Sequence, residues 1–331
     1  MFFNVITNPT KQQKDEMVSI YSSLDYVYAF QHPYFDLKEN NVYFLFTDQQ
    51  GVILSYCIVQ VSNFSKLKFI KNASLIYGVI GKDPADCKML FDFLVNHYRK
   101  NKYTSLYYYP FHNTLDLTNL TFPYVTLLTR KKDSIWIDLS LEIDEIKSGF
   151  SKMLIRNLKK AEKNSLTVKL LTTVQDTEQF IGINEKMSAN RGIDFNRNEL
   201  EKIIRFTQEY KCGYLLGCFS EDQILLGGIL VVIQGKLAEY FIAATDPSYK
   251  SLPLSHLTML KAIEYSKEIG CDVFDLGGIV LNADESDQVY NITNFKKLFS
   301  SNYKIYANPI EFRFSTWRIL IKTMYLKLSS R

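Results

Sequence analysis

The sequence predicts a mixed α/β protein of two domains, each built on its own central sheet. Three observations predict it. The chain has 331 residues, more than one domain usually holds. Apolar residues switch repeatedly between the two-residue repeat of strands and the 3.6-residue repeat of helices. The order helix, antiparallel strands, helix, strand occurs twice, which suggests a structural duplication.

In the first third, "NVYFLFTD" and "GVILSYCIVQV" are β-rich runs joined at Gln49-Gln50-Gly51 and read as a hairpin. "DPADCKMLFDFLVNHYRKN" opens with a helix-start signal at Asp83-Pro84 and ends in basic residues. "YTSLYYY" is a strand stopped by Pro110. The polar stretch "RKKDS" near residue 133 reads as a domain boundary. "DSIWIDLS" is then a strand, "SLEIDEIKSGF" and "SKMLIRNLKKAEKNS" are helices, and "TVKLLT" is a strand. "TVQDTEQFIGINEKMSAN" is helical up to Arg191-Gly192, and "FNRNELEKIIRFTQEY" is another helix. Strands "GYLLGCF", "ILLGGILVVIQ" and "KLAEYFIAA" follow, the last two joined by a turn at Gly235-Lys236. Helix "SHLTMLKAIEYSKEI" ends at Gly270, the residue type a C-terminal cap prefers. Strand "CDVFDL" runs into Gly277-Gly278, read as a close backbone turn.

Composition narrows the function. Hydrophobic residues make up 47% and charged residues 22%, which excludes a disordered chain. A net charge of only +4 argues against wholesale nucleic-acid binding and leaves room for a local basic surface. Five cysteines without a CxxC pair argue against a disulfide framework or zinc site and fit a reducing compartment. Four scattered histidines (His32, His97, His112, His256) offer no metal spacing. GxSxG, Walker and GxGxxG motifs are missing. The opening "MFFNVITNPTKQQ" turns polar too soon for a signal peptide, and no run reaches the ~18 apolar residues of a membrane span. The expectation is a cytoplasmic protein. Its last stretch, "STWRILIKTMYLKLSSR", mixes apolar and basic residues. It reads as a terminal helix packed on its own domain or as a peripheral membrane contact.

The most charged segment is "RNLKKAEKN". At roughly 100° per residue, Lys152, Arg156, Lys159, Lys160 and Lys163 share one sector of a helix. Leu154, Leu158 and Ala161 lie opposite, with Ser165 extending that side. Such a stripe is either a solvated face or an anion-binding one. The arginine favours phosphate, which guanidinium grips in a bidentate way.

Taken in order, "IWIDLS", "RNLKKAEKNSLTV", "LLGGILVVIQGKLAEYFIAATDP", "PLSHLTMLKAIEYSKEIGCDVFDLGGI" and "NFKKLF" resemble the Fem family of peptidoglycan cross-bridge aminoacyltransferases, within the GNAT-like acyltransferase superfamily. The resemblance covers about residues 134–308 well and the first third only in rhythm. It implies an α/β (α+β) architecture of tandem GNAT-like domains with mixed central sheets. Domain one would be residues 1–133 plus a returning C-terminal helix in 309–331, and domain two residues 134–308. The interval 185–212 is too short for the coiled-coil arm of some relatives.

What the resemblance implies chemically is N-acyl or aminoacyl transfer to an amine on a cell-wall or surface-glycan precursor. The donor would be aminoacyl-tRNA or acyl-CoA, with no tightly bound cofactor. The partners would be a nucleotide-linked precursor and tRNA, not DNA. Lys296 is similar in position to a family lysine that stabilises the oxyanion, with Phe295 packing inward, or else is a surface lysine beside Lys297. Asp275 would orient a substrate group, or else bond the backbone of the glycine turn. Arg156, Lys159 and Lys160 would hold phosphates, Tyr240, facing one side with Ile242, would line the cleft, and His256 would serve as base or as helix cap. Arg156 and Lys296 are expected to share one groove.

Two departures keep alternatives open. "KSLPLS" places Pro253 where CoA-binding loops carry a glycine, which removes a backbone donor. "YYYPF" places Tyr109 where relatives often carry an acid, so proton removal falls to substrate or water. The alternatives are an acyl-CoA-dependent N-acyltransferase of an amino-sugar or small amine, and a catalytically lapsed ligand-binding protein.

Overall fold

The computed structural model describes residues 1–25, 31–35, 40–64, 67–76, 78–110, 123–126, 133–285 and 288–329. Arg130–Lys132 of the predicted link lie outside them. The chain forms two compact units, one of residues 1–131 with 306–331, the other of residues 132–305.

The first unit contains strands β1 (Phe2–Ile6), β2 (Asn41–Thr47), β3 (Ile53–Phe64), β4 (Leu67–Ile76), β5 (Ile80–Gly81), β6 (Ser105–Tyr109) and β7 (Tyr124–Thr126), with helices α1 (Lys11–Tyr21) and α2 (Pro84–Lys100). The second contains β8 (Asp133–Asp138), α3 (Ile143–Ser148), α4 (Lys152–Lys163), β9 (Thr167–Leu170), α5 (Val174–Arg191), α6 (Arg197–Glu209), β10 (Gly213–Phe219), β11 (Leu225–Gln234), β12 (Leu237–Thr245), α7 (Leu254–Glu268), β13 (Val273–Ile279), α8 (Gln288–Lys297) and β14 (Tyr303–Lys304). The chain then rejoins the first unit through β15 (Ile310–Arg313) and α9 (Thr316–Ser329). The expected return was a helix alone. In addition, β15 inserts between β6 and β7, pairing antiparallel with both.

Local chemistry explains the predicted elements. The β2–β3 hairpin closes on Asp48, whose Oδ1 accepts the N–H groups of Gln50 and Val52 at 2.8 and 2.9 Å. Asp83 accepts the N–H of Ala85 and Pro84 occupies the first turn of α2, where its missing N–H costs nothing. Ser151 caps α4 through the N–H of Leu154. Leu154, Leu158 and Ala161 are buried as expected, and the five basic residues opposite them are exposed. Ser165 does not extend the buried side: it lies beyond the helix with φ +51° and is exposed.

The second unit's sheet runs β14-β8-β13-β12-β11-β10-β9. Its core joins Ile135 and Ile137 of β8, Leu154 and Leu158 of α4, Ile229 and Val231 of β11, Met259 and Ile263 of α7, and Phe274 and Leu276 of β13. Within it, β12 and β13 are parallel and joined by α7, a crossover that needs a helix to return the chain. The first unit repeats the device with β4 and β6 joined through α2. The expected glycine turn after "CDVFDL" is instead part of β13, which continues to Ile279 with a register irregularity between Asp275 and Gly278. The glycine pair is a bulge inside a strand.

Candidate active site

In the second unit, β12 and β13 pair over only three residues, Leu237 to Glu239 against Val273 to Asp275. Beyond Glu239, β12 carries a bulge: Tyr240 pairs with Val231 and Ile242 with Leu230, so Phe241 is the extra residue. A bulge resets alternation. Tyr240 therefore shares its side with Ala243, not with Ile242 as alternation predicts: both line a cavity and both pack on the same core. The cavity holds about 300 Å³. Its walls are Tyr240 and Ala243 of β12, Ser255 and Thr258 of α7, Phe295 and Lys296 of α8, and Arg191 at the end of α5.

Lys296 is 4% exposed, and its ammonium donates to the carbonyl of Gly278 at 2.9 Å. It also lies 5.4 Å from the centre of the Tyr240 ring, within cation–π range. Gly277 makes room for it. Its φ is +76°, and a Cβ there would sit 3.3 Å from Lys296 Nζ and from the Tyr240 carbonyl. Asp275, 1% exposed, secures the bulge by accepting from the Gly277 N–H at 2.7 Å and from the Ser134 hydroxyl. Burial raises the Asp275 pKa, opposed by those same hydrogen bonds.

Glu239 stands beside Asp275 in the parallel register. Its Oε2 is sealed from solvent and makes no hydrogen bond among the described residues. Burial pushes its pKa up to about 8, the Asp275 charge pushes the same way, and the Lys296 charge opposes them. Tyr240 is pushed up to about 12 by burial, with Arg191 acting against it, so its phenol is protonated at neutral pH.

Of the residues expected from the sequence, Tyr240, Phe295 and Lys296 meet in the cavity. Asp275 is not on its wall; its carboxylate is spent on Gly277 and Ser134, the backbone-bonding alternative. His256 is one layer back. Its ring packs edge-on to Phe295 at 5.2 Å, and its Nε2 is 3.1 Å from Asn157 Nδ2. Burial lowers its pKa, which keeps the imidazole neutral at pH 7. Arg156, Lys159 and Lys160, expected to share a groove with Lys296, do not line this cavity. The physical reason is the helix's own amphipathicity. Its apolar side faces the core, so its charges face solvent, and Lys160 reaches back only to the Ser251 carbonyl at 2.7 Å.

Arg191 and Glu239 were missed by sequence reasoning. Arg191 had a local signal, an arginine in the last helical turn before Gly192, whose φ of +62° ends α5. Glu239 had a weaker one, a lone carboxylate inside the apolar run "KLAEYFIAA".

Residues 196–316 match the FemAB family. The Lipid II:glycine glycyltransferase of Staphylococcus epidermidis strain RP62A is 25% identical over 134 residues, 39% of this chain and 32% of that protein. The protein of that name from Staphylococcus saprophyticus is 28% identical over 80 residues, 24% of this chain and 19% of that protein. The chain thus spans about a third, or less, of the length of the curated relatives it matches. Among solved structures, FemX superposes with a TM-score of 0.77 at 13% identity, covering 95% of this chain and 97% of that one. L-PGS from Bacillus licheniformis gives 0.62 at 8% identity over 94% of each chain. A tandem GNAT protein from the clavulanic acid biosynthesis pathway gives 0.50 at 10% identity, covering 95% and 99%. The Fem resemblance read from the sequence therefore holds: residues 196–316 carry the FemAB match, on the tandem GNAT-like fold that the FemX structure shares.

Proposed function

We propose that the cavity of the second unit transfers an acyl group, in the first place an aminoacyl group from tRNA, to an amine on a cell-wall precursor. The observation that carries this reading is Lys296: a buried ammonium, held by the Gly278 carbonyl, at the wall of a cavity it shares with a protonated phenol. In the reaction the acceptor amine attacks the donor carbonyl. A C–N bond forms, the C–O bond of an ester or C–S bond of a thioester breaks, and the leaving oxygen or sulfur takes a proton. The tetrahedral intermediate carries an oxyanion, which Lys296 and the Tyr240 hydroxyl stabilise. Arg191 adds a second cation for an anionic donor or acceptor. No carboxylate or imidazole stands among the described lining residues. The amine proton therefore leaves through substrate or water. The peptidoglycan precursor as acceptor rests on the FemAB match and on the glycyltransferase name of the relatives.

The test offers the protein UDP-linked muropeptide or lipid-linked precursor with aminoacyl-tRNA, or with acyl-CoA, and reads the product mass. The expected result is an added amino-acid residue with the tRNA donor, lost in Lys296→Met. Product from acyl-CoA alone would replace the donor assignment. No product from either donor, with ligand binding intact, would overturn transfer in favour of a binding protein.

A further inference from the structure

Helix α9 presents a largely exposed apolar face. Trp317, Leu320, Met324 and Leu328 recur at the spacing of one helix side and are 56%, 59%, 64% and 72% exposed. The opposite side anchors the helix. Arg318 donates to the Lys102 carbonyl, Lys322 to the Tyr107 hydroxyl at 3.2 Å, and the Tyr325 ring meets Phe64 edge-on at 5.4 Å. These anchors determine which side points outward. The ridge continues onto β4, where Phe69, itself 42% exposed, stacks on Trp317 at 5.9 Å.

The charged residues of both elements have one sign. Lys68 and Lys71 flank Phe69 on β4, and Lys102 and Lys327 are likewise exposed. Neither Leu67–Ile76 nor Thr316–Ser329 contains an acidic residue. An apolar ridge with an exposed tryptophan and a rim of lysines suits the boundary between acyl chains and anionic headgroups. The ridge enters the apolar side, the indole sits at the interface, and the lysines meet phosphate. An acidic protein surface would satisfy the lysines but leave Leu320, Met324 and Leu328 unmatched.

We propose that α9 and the adjoining Phe69 edge of β4 form a peripheral docking surface for an anionic phospholipid bilayer. The surface belongs to the first unit and is independent of the cavity chemistry.

The experiment is co-sedimentation of the full chain with phosphatidylglycerol-containing vesicles and with pure phosphatidylcholine vesicles. Binding is expected to the anionic vesicles, weakened by added salt. It should fall by at least about tenfold in Leu320→Gln/Met324→Gln and again in Lys68→Glu/Lys71→Glu. Tryptophan emission should shift to the blue on vesicle addition, and the shift should vanish in Trp317→Phe. All these side chains are exposed, so unchanged thermal melting shows that each variant is folded. Absence of binding to anionic vesicles overturns the proposal, as does binding that survives the Leu320/Met324 pair in a folded variant. A solution dimer that the same pair dissociates would assign the face to a second copy instead.

Discussion

The two units contain the same parallel strand pair and treat it differently. In the first, β4 and β6 stay in register over five residues, Asn72 to Ile76 against Ser105 to Tyr109. In the second, β12 and β13 part after three, and β12 bulges at once at Phe241. The closed pair buries Ala73, Leu75, Leu106 and Tyr108 in an apolar core. The parted pair leaves a cavity and, beside it, the carboxylates of Glu239 and Asp275 and the ammonium of Lys296. A shared topology thus yields a packed core in one unit and a cavity with a buried ammonium on its wall in the other. Three paired residues and one extra residue make the difference.

The comparison can be broken most strongly at Lys296. Lys296→Met removes the ammonium while keeping most of the side-chain volume. Turnover in the acyl-transfer assay should fall ~10²–10³-fold, the usual loss for one oxyanion donor. A variant that retains full turnover would place the chemistry elsewhere.

Glu239→Gln sharpens the comparison through pH. The folded-state pKa lies near 8 against an ordinary 4.5, so between these values the folded protein binds more protons than the unfolded chain. The contribution is complete below pH 4.5 and is lost as pH rises through about 8. Denaturant melts of the wild type should lose stability as pH rises across that window from this group. In Glu239→Gln that slope should flatten, while Leu75→Ala in the closed pair should leave it unchanged.

A smaller effect is expected at the bulge. Gly277→Ala forces a side chain into the left-handed region and against Lys296 Nζ. It should cost about 1–2 kcal/mol of stability, read as a lowered denaturation midpoint, with a parallel loss of turnover. The smallest effect is expected at Arg156→Ala, which lies on the exposed face of α4 and should change stability by less than about 0.5 kcal/mol. A large loss of turnover there, with the melt unchanged, would show that a bound substrate extends from the cavity to the basic helix.

Much of this was legible in the residues. Asp83-Pro84, the Gln49-Gln50-Gly51 turn and Gly270 act on backbone groups within a few positions of themselves, and each marks the element it was read to mark. Tyr240, Phe295 and Lys296 were legible through the order of the Fem-like motifs. β1, β4 and β15 were not. β1 is held by Tyr43–Thr47 and β15 by Ser105–Tyr108 some two hundred residues earlier, whereas β4 pairs with the adjacent β3 as well as with β6. The role of Arg156 was not legible, because a cationic stripe reads alike whether it faces a ligand or water.

By itself the sequence determined the periodicity of the elements, their caps, the amphipathic sides of α4 and α9, and the Fem-like motifs, of which those from Leu225 onward fall inside the FemAB match. These signals need only neighbours three or four residues away. The tertiary structure alone decided that Phe241 is extra, that Tyr240 turns toward Ala243, that β12 leaves β13, and that Lys296 rather than Arg156 reaches the cavity. Register is a property of paired strands and their packing, and one added residue reverses every side chain that follows it.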